Sequence, residues 1–231
     1  MKKNIIIAID GPAGSGKTTT AKMLADRLHY IYIDTGAMYR AVTLAALREG
    51  IEFTEESLSE LVENLLIELA QSPHGQRTFL NGEDVSDEIR HPDITKNVSV
   101  VSAKVAVRRA MVEQQRMIGR SGGVVMDGRD IGTVVFPNAE VKVFMTASID
   151  KRAQRRSSEM NAKGILSSED EVAQQLKERD KMDSERVVAP LLKAEDAIEI
   201  DTTKLSVTEQ VETILELAFK AMNTEQIEKN S

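Results

Sequence analysis

The 231-residue chain is 41% hydrophobic and 29% charged, values of an ordinary globular protein that argue against disorder. It has no cysteine and three histidines, which excludes disulfide scaffolds, zinc–thiolate sites and thiol nucleophiles and leaves little imidazole for a polyhistidine metal centre. Thirty Lys and Arg against 37 Asp and Glu leave a formal charge of −7, the wrong sign for a general binder of nucleic acid or anionic membrane, so neither is expected as a partner.

Met1-Lys2-Lys3 before Ile5 imitates the start of a signal peptide, but the apolar run stops at Asp10. That is short of the ~7–15 residues of a signal core, and nothing approaches the ~20 apolar residues of a membrane span. The expectation is a soluble, cytoplasmic protein. Residues 4–10 have the β-branched density of a buried parallel strand. A helix is expected over 17–28, a strand over 31–34, and an Ala/Leu-rich helix over 37–49 that Gly50 stops. Thr54 is a candidate N-cap for a helix over 55–70 with acidic residues in its first turn. Between Arg77 and Ile89 the alternation breaks, and Asn81-Gly82 between short strand-like runs signals a tight hairpin inside an inserted subdomain.

Helical pattern resumes over 93–120, in two pieces, and ends at Gly122-Gly123. Strands are expected over 124–127, 141–146 and 197–201, and helices near 150–162, 168–184 and 207–222. Ser206 with Glu209 makes a capping box for the last helix, and residues 223–231 read as a polar, frayed tail. Five strands separated by helices imply an α/β fold with a doubly wound parallel sheet, whose ligands sit beyond the carboxyl ends of the strands. The absence of an obvious apolar patch or coiled-coil stripe favours a monomer.

Chemistry concentrates at those strand ends. Gly11-Pro12-Ala13-Gly14-Ser15-Gly16-Lys17-Thr18 satisfies G-x-x-x-x-G-K-[ST] between a strand and a helix. A polyphosphate must be met by several backbone N–H groups at once, and glycines at 11, 14 and 16 keep side chains out of that approach. The helix that follows adds its N-terminal dipole. Lys17 supplies a mobile charge for the β- and γ-phosphates, the Thr18 hydroxyl is the expected Mg²⁺ ligand, and Thr19 can add contacts to the inner phosphates.

No N-K-x-D element of guanine-specific GTPases is present. The strand ending at Asp127 is followed by Gly128 rather than by the Glu with which motor-type ATPases activate water. Asp127 can still hold Mg²⁺ through water, but the missing base favours transfer over hydrolysis. Arginines recur at strand-to-helix junctions. Arg40 closes Asp34-Thr35-Gly36-Ala37-Met38-Tyr39-Arg40, and Arg129-Asp130 follows the next strand. Arg152, Arg155 and Arg156 share one helical face, as do Arg179, Asp183 and Arg186. An acidic protein that lines up cations near strand ends is suited to grip two anionic ligands.

The segments DGPAGSGKTT, DTGAMYR, NGEDVSDEIR, DGRDIGTVVFP and ERDKMDSERVVAPL, in this order over about residues 4–220, resemble the bacterial cytidylate kinase family. The resemblance implies a P-loop three-layer fold forming a single kinase unit over 1–231. Its core is expected at 1–35, 107–147 and 166–222, a monophosphate-binding region with the insert at 36–106, and a short lid at 148–165. It implies ATP as phosphoryl donor with Mg²⁺, and CMP and dCMP as acceptors.

By the same resemblance Thr35, Gly36, Tyr39 and Arg40 belong to a turn that grips the monophosphate, with Thr35 standing where some members have serine. Ser99, Arg108 and Asp130 read the cytosine edge, Arg129 and Arg186 contact phosphate, and Arg179 with Asp183 lies near the acceptor sugar. Lys17, Arg129, Arg186 and the lid arginines Arg152 and Arg156 take catalytic roles, with the choice among Arg152, Arg155 and Arg156 at the moving phosphoryl left open. The rival readings are another P-loop small-molecule kinase, such as an adenylate or shikimate kinase, and a P-loop switch that controls a partner.

Overall fold

The computed structural model describes residues 4–73, 75–162 and 164–228. The chain starts with β1 (Ile6–Asp10), α1 (Lys17–Leu28), β2 (Ile31–Asp34) and α2 (Thr35–Arg48). α3 (Glu55–Glu63) leads into β3 (Ile67–Ser72), β4 (Gly75–Leu80) and β5 (Glu83–Asp84), then α4 (Pro92–Ser102) and α5 (Val105–Gly119). β6 (Val124–Gly128), β7 (Val141–Thr146), α6 (Ile149–Asn161), α7 (Glu169–Glu185), β8 (Ile198–Asp201) and α8 (Val207–Glu228) complete it.

Five strands form one parallel sheet in the order β2-β6-β1-β7-β8. β1 is central, with Ile7 opposite Val125 on one side and Val141 on the other. Its residues Ile7, Ala8 and Ile9 are fully buried, because both faces are covered. Ile7 and Ile9 pack with Leu24 of α1 and Ile214 of α8, whereas Ala8 packs with Met126 and Val112 of α5. A strand buried on both faces has no polar alternation, which is why it reads as a continuous apolar run.

A separate apolar cluster joins Met38, Val42, Leu58, Leu80, Ile94 and Met111, tying α2–α5 to the small antiparallel sheet β3-β4-β5. Asn81-Gly82 is the two-residue loop between β4 and β5, with φ of 50° and 83°. Both residues take the left-handed conformation that such a hairpin needs.

Two expectations are corrected, and one element is new. The helix expected over 55–70 ends at Glu63, with Asn64 as its C-cap, and residues 67–72 form β3 instead. There Ile67 and Leu69 point to one face opposite Leu80 and Thr78, so pairing with β4 overrides helical propensity. After Asp130 the chain makes a π-helical turn (Ile131–Val135) that was not expected. Residues 223–228, expected to fray, continue α8, and 229–231 lie outside the described residues. Among the described residues, no helix is long and apolar enough to cross a membrane.

Candidate active site

A cleft of about 1050 Å³ opens at the carboxyl ends of β1, β2 and β6. At one end lies the loop of residues 11–19 between β1 and α1, with Ala13, Gly14, Gly16, Lys17, Thr18 and Thr19 lining the cleft. Its carbonyls are held from behind. Arg152 donates to Ala13 O (3.2 Å), Arg155 to Gly14 O (3.4 Å) and the Thr202 hydroxyl to Ser15 O (2.8 Å). Since a trans peptide points its N–H opposite its C=O, the amides of Gly14 and Gly16 turn away from those partners, in the sense an anion nest requires.

Not every glycine is there to admit an anion. A Cβ on Gly11 (φ 145°) would stand 2.1 Å from Met145 O, so this glycine lets β7 approach the loop. Pro12 and Ser15 do not line the cleft either. Pro12 O accepts from Lys17 Nζ at 2.7 Å, and Ser15 Oγ lies 3.4 Å from the same ammonium. Burial, reinforced by the Arg129 charge, brings the Lys17 pKa down to about 7.

The Thr18 hydroxyl donates to one oxygen of Asp127 (2.9 Å) and the Tyr32 hydroxyl to the other (2.9 Å). The Thr35 hydroxyl donates to the Asp127 carbonyl (2.8 Å), tying the start of α2 to the end of β6. Burial and the nearby Asp34 charge raise the Asp127 pKa to about 6. Asp34 caps α2 by accepting from Ala37 N (3.0 Å) and stands 3.6 Å from Arg90.

The other end of the cleft is cationic. Arg40 donates to Thr95 Oγ1 (2.9 Å), and burial together with Arg179 lowers its pKa to about 9. Burial and Arg129 lower that of Arg179 to about 10, and its Nε is buried without a hydrogen-bond partner. Arg129 pairs with Asp183 (2.8 Å); burial opposes its charge, but Asp183 holds the guanidinium above its ordinary range. Arg108 pairs with Asp130 in a fully buried contact and stacks its guanidinium on the Tyr39 ring (5.2 Å). The Arg186 NH2 reaches to 3.5 Å from Asp130 but makes no hydrogen bond, and the Tyr39 hydroxyl also lacks one. Burial pushes the Tyr39 phenol up to about 12.

The structure therefore brings Thr35, Gly36, Tyr39, Arg40, Arg108, Arg129, Asp130, Arg179, Asp183 and Arg186 to one cleft with the phosphate loop. It does not bring Ser99 there. Ser99 is buried in α4, and Ser102, one turn later, lines the cleft, with its carbonyl accepting from Arg108 at 3.2 Å. Arg152 is also held away, its NH1 committed to Ala13 O and to Asp180 (2.6 Å). Arg155 and Arg156 line the cleft.

Asp34, Arg90, Asp180, Thr202 and Gln210 were missed by sequence reasoning. Arg90 closes the singled-out NGEDVSDEIR segment and Asp34 ends a strand, so both had a usable signal. Asp180, Thr202 and Gln210 act through contacts that no local spacing announces. Gln210 is buried, accepts from the Thr20 hydroxyl (2.6 Å) and donates to Leu205 O (3.0 Å).

The sequence profile of the cytidylate kinase family matches residues 7–220. A cytidylate kinase of Anoxybacillus flavithermus is 55% identical over 93% of this chain and 96% of its own length. One from Bacillus subtilis is 52% identical over 94% and 97%. Among solved structures, a shikimate kinase from Acinetobacter baumannii is similar at 17% identity and a TM-score of 0.49, covering 95% of each chain, too distant a likeness to speak to substrate. With the phosphate loop and a cluster of arginines lining one cleft, and with relatives matched almost end to end, this chain belongs to the cytidylate kinase family.

Proposed function

We propose that the protein transfers the γ-phosphoryl group of ATP to CMP or dCMP, giving ADP and CDP or dCDP, with the triphosphate on residues 11–19 and the monophosphate among the arginines. One observation carries this reading. Arg40 and Arg179 both line the cleft that holds the phosphate loop, burial and neighbouring arginines disfavour the charge of each, and Arg179 has a buried, orphaned Nε. Crowded guanidinium groups with a buried donor left unpaired are suited to an anion, and a nucleotide phosphate supplies one.

Phosphoryl transfer has a loose transition state, so alignment and charge neutralisation do most of the work. In this reading Arg40, Arg129 and Arg186 hold the CMP phosphate, already an anionic nucleophile at neutral pH, so no general base is needed. Lys17 neutralises charge on the donor. Asp183 fixes Arg129 and, with Arg179, lies near the acceptor sugar. Residues 148–165 act as a lid; Arg156 reaches the cleft from α6, held only by an exposed pair with Glu159 (3.1 Å), and is the lid arginine suited to the moving phosphoryl, while Arg152 and Arg155 brace the phosphate loop, Arg155 being committed to Gly14 O and Thr202.

The Thr18 hydroxyl and the Asp127 carboxylate, hard oxygen donors 2.9 Å apart, fit Mg²⁺ and would hold it directly or through water. Bound there, Mg²⁺ would neutralise phosphate oxygens of the donor.

Cytosine selection follows from paired donors and acceptors. Arg108 can donate to O2 and N3, while Asp130, fixed by Arg108 and Arg186, can accept from the exocyclic amine. Uracil puts an oxygen where Asp130 needs a donor, leaving two acceptors face to face. The reading further holds that the enzyme works as a cytoplasmic monomer.

The test is a panel of acceptors (CMP, dCMP, UMP, AMP and shikimate) with ATP–Mg²⁺, following ADP. ADP release that depends on CMP or dCMP, with UMP poorer, is expected. Preference for AMP or shikimate, or slow hydrolysis independent of acceptor, would overturn the proposal.

A further inference from the structure

Asp10 ends β1 immediately before Gly11, is buried, and does not line the cleft. Both carboxylate oxygens are engaged. Oδ1 accepts from the Ile131 amide (2.8 Å) and Oδ2 from the Gly132 amide (2.7 Å). Those amides follow directly on Arg129 and Asp130 and open the π-helical turn, where the first N–H groups of a helical segment have no partner of their own.

The rest of the turn closes on itself, with Asp130 O accepting from Val134 (2.9 Å) and Val135 (3.2 Å). Asp130 takes φ −150° and ψ 27°, outside the helical and strand wells, so its backbone needs an external restraint. Its side chain is held by Arg108 and Arg186, and Arg129 by Asp183. Asp10 is the side chain that holds the backbone just beyond them. Asparagine could not replace it in kind, because its carboxamide would satisfy one N–H and set its own NH₂ against the other.

We infer that Asp10 is a positioning residue for the acceptor nucleotide, its two oxygens fixing the 129–132 loop so that Arg129 and Asp130 face the monophosphate and its base. The inference rests on the kinase reading above. Asp10 touches neither substrate; it acts through the loop, and a shift of about 1 Å at such a loop is enough to cost roughly 10²-fold in rate.

The test is steady-state kinetics of Asp10→Asn, with CMP and UMP varied at saturating ATP–Mg²⁺ and ATP varied at saturating CMP. The KM for CMP should rise about 10-fold and the CMP-over-UMP ratio of kcat/KM should fall about 10-fold, with the KM for ATP changed less than about 2-fold. Equal weakening of both substrates, or an unchanged CMP-over-UMP ratio, would overturn the inference. Failure of the wild-type protein to use CMP at all would instead strike the kinase reading, so the two failures are distinguishable.

A second measurement needs no variant. By NMR, the Ile131 and Gly132 amides of the wild-type protein should exchange with deuterium as slowly as those of β6. Exchange at the rate of an open loop would overturn the clamp even if Asp10→Asn did not fold.

Discussion

The two ends of the cleft are built in opposite ways. The phosphate loop is contiguous, and its carbonyls are already satisfied by Arg152, Arg155 and Thr202. The arginine arm is gathered from α2, α5, the β6 end and α7, and it is unfinished: Arg179 Nε, Arg186 NH2 and the Tyr39 hydroxyl are buried without hydrogen-bond partners. One end is organised before any ligand arrives, whereas the other stores unpaired donors that a phosphate and a base would satisfy. Binding at the first end costs little rearrangement, and selectivity accrues at the second, where a wrong ligand leaves buried groups unpaired.

Lys17→Ala tests the preorganised end and should have the largest effect. Turnover should fall by at least about 10³-fold, the order seen when a charge aimed at a transferring phosphoryl is removed. Circular dichroism should be unchanged, because the fold does not depend on this ammonium. Near-normal turnover would mean that the loop does not hold the donor. At the unfinished end, Asp130→Asn should reduce the CMP-over-UMP ratio of kcat/KM by about 10²-fold, since an amide can donate to the uracil oxygen where the carboxylate cannot. It should also destabilise the protein, because Arg108 would be left as a buried cation with one partner fewer. A variant that keeps full discrimination would show that Asp130 does not read the base.

The same contrast explains what was legible in the sequence. The phosphate loop needs residues at fixed spacing in one short segment, so Gly14, Gly16, Lys17 and Thr18 could be read directly. The parallel strands were legible for a similar reason: burial on both faces leaves an unbroken apolar run. The arginine arm has no such local grammar. Individual arginines at strand ends could be singled out, but the pairing of Arg129 with Asp183, or of Arg152 with Asp180 rather than with the cleft, depends on how α7 packs against distant segments. Ser99 illustrates the limit, since one helical turn separates it from Ser102 and only the packed helix decides which serine faces the cleft. The small sheet was half legible. Asn81-Gly82 announced the β4–β5 turn, but residues 67–72 carry a pattern that suits a helix until β4 is there to pair with them.

Arg179→Met sharpens the comparison with a smaller effect. The substitution keeps an apolar stem and removes a cation that Arg129 and burial both disfavour. Without ligand the variant should unfold at the same or a slightly higher temperature, since a guanidinium crowded by Arg129, with a buried unpaired Nε, gives way to an apolar side chain. Its KM for CMP should rise roughly 10-fold, the cost of one charge-assisted contact to the acceptor, with the KM for ATP nearly unchanged. A loss of stability comparable to the loss of CMP affinity would mean that Arg179 is a structural ion-pair partner and that the arm is less unfinished than its orphaned donors indicate.

The smallest effect concerns the joint between the two ends. Burial raises the Asp10 pKa from 3.8 to about 6, with the Ile131 and Gly132 amides opposing the rise and the Asp130 charge adding to it. Between pH 4 and 6 the unfolded chain has released this proton while the folded protein keeps it, so Asp10 makes stability fall as pH rises through that window, and the penalty is complete above about pH 6. Asp127 contributes in the same direction, burial having raised it to about 6 as well. Its contribution largely cancels when wild type is compared with Asp10→Asn. The stability difference, variant minus wild type by urea denaturation at each pH, should therefore rise between pH 4 and 7 in the variant's favour. The expected rise is on the order of 2–3 kcal/mol at most, the value of a two-unit shift. A flat difference across that range would mean that the carboxylate is not held near pH 6. A rise accompanied by weaker CMP selectivity would mean that the loop is kept in register by a charge the folded protein would be more stable without.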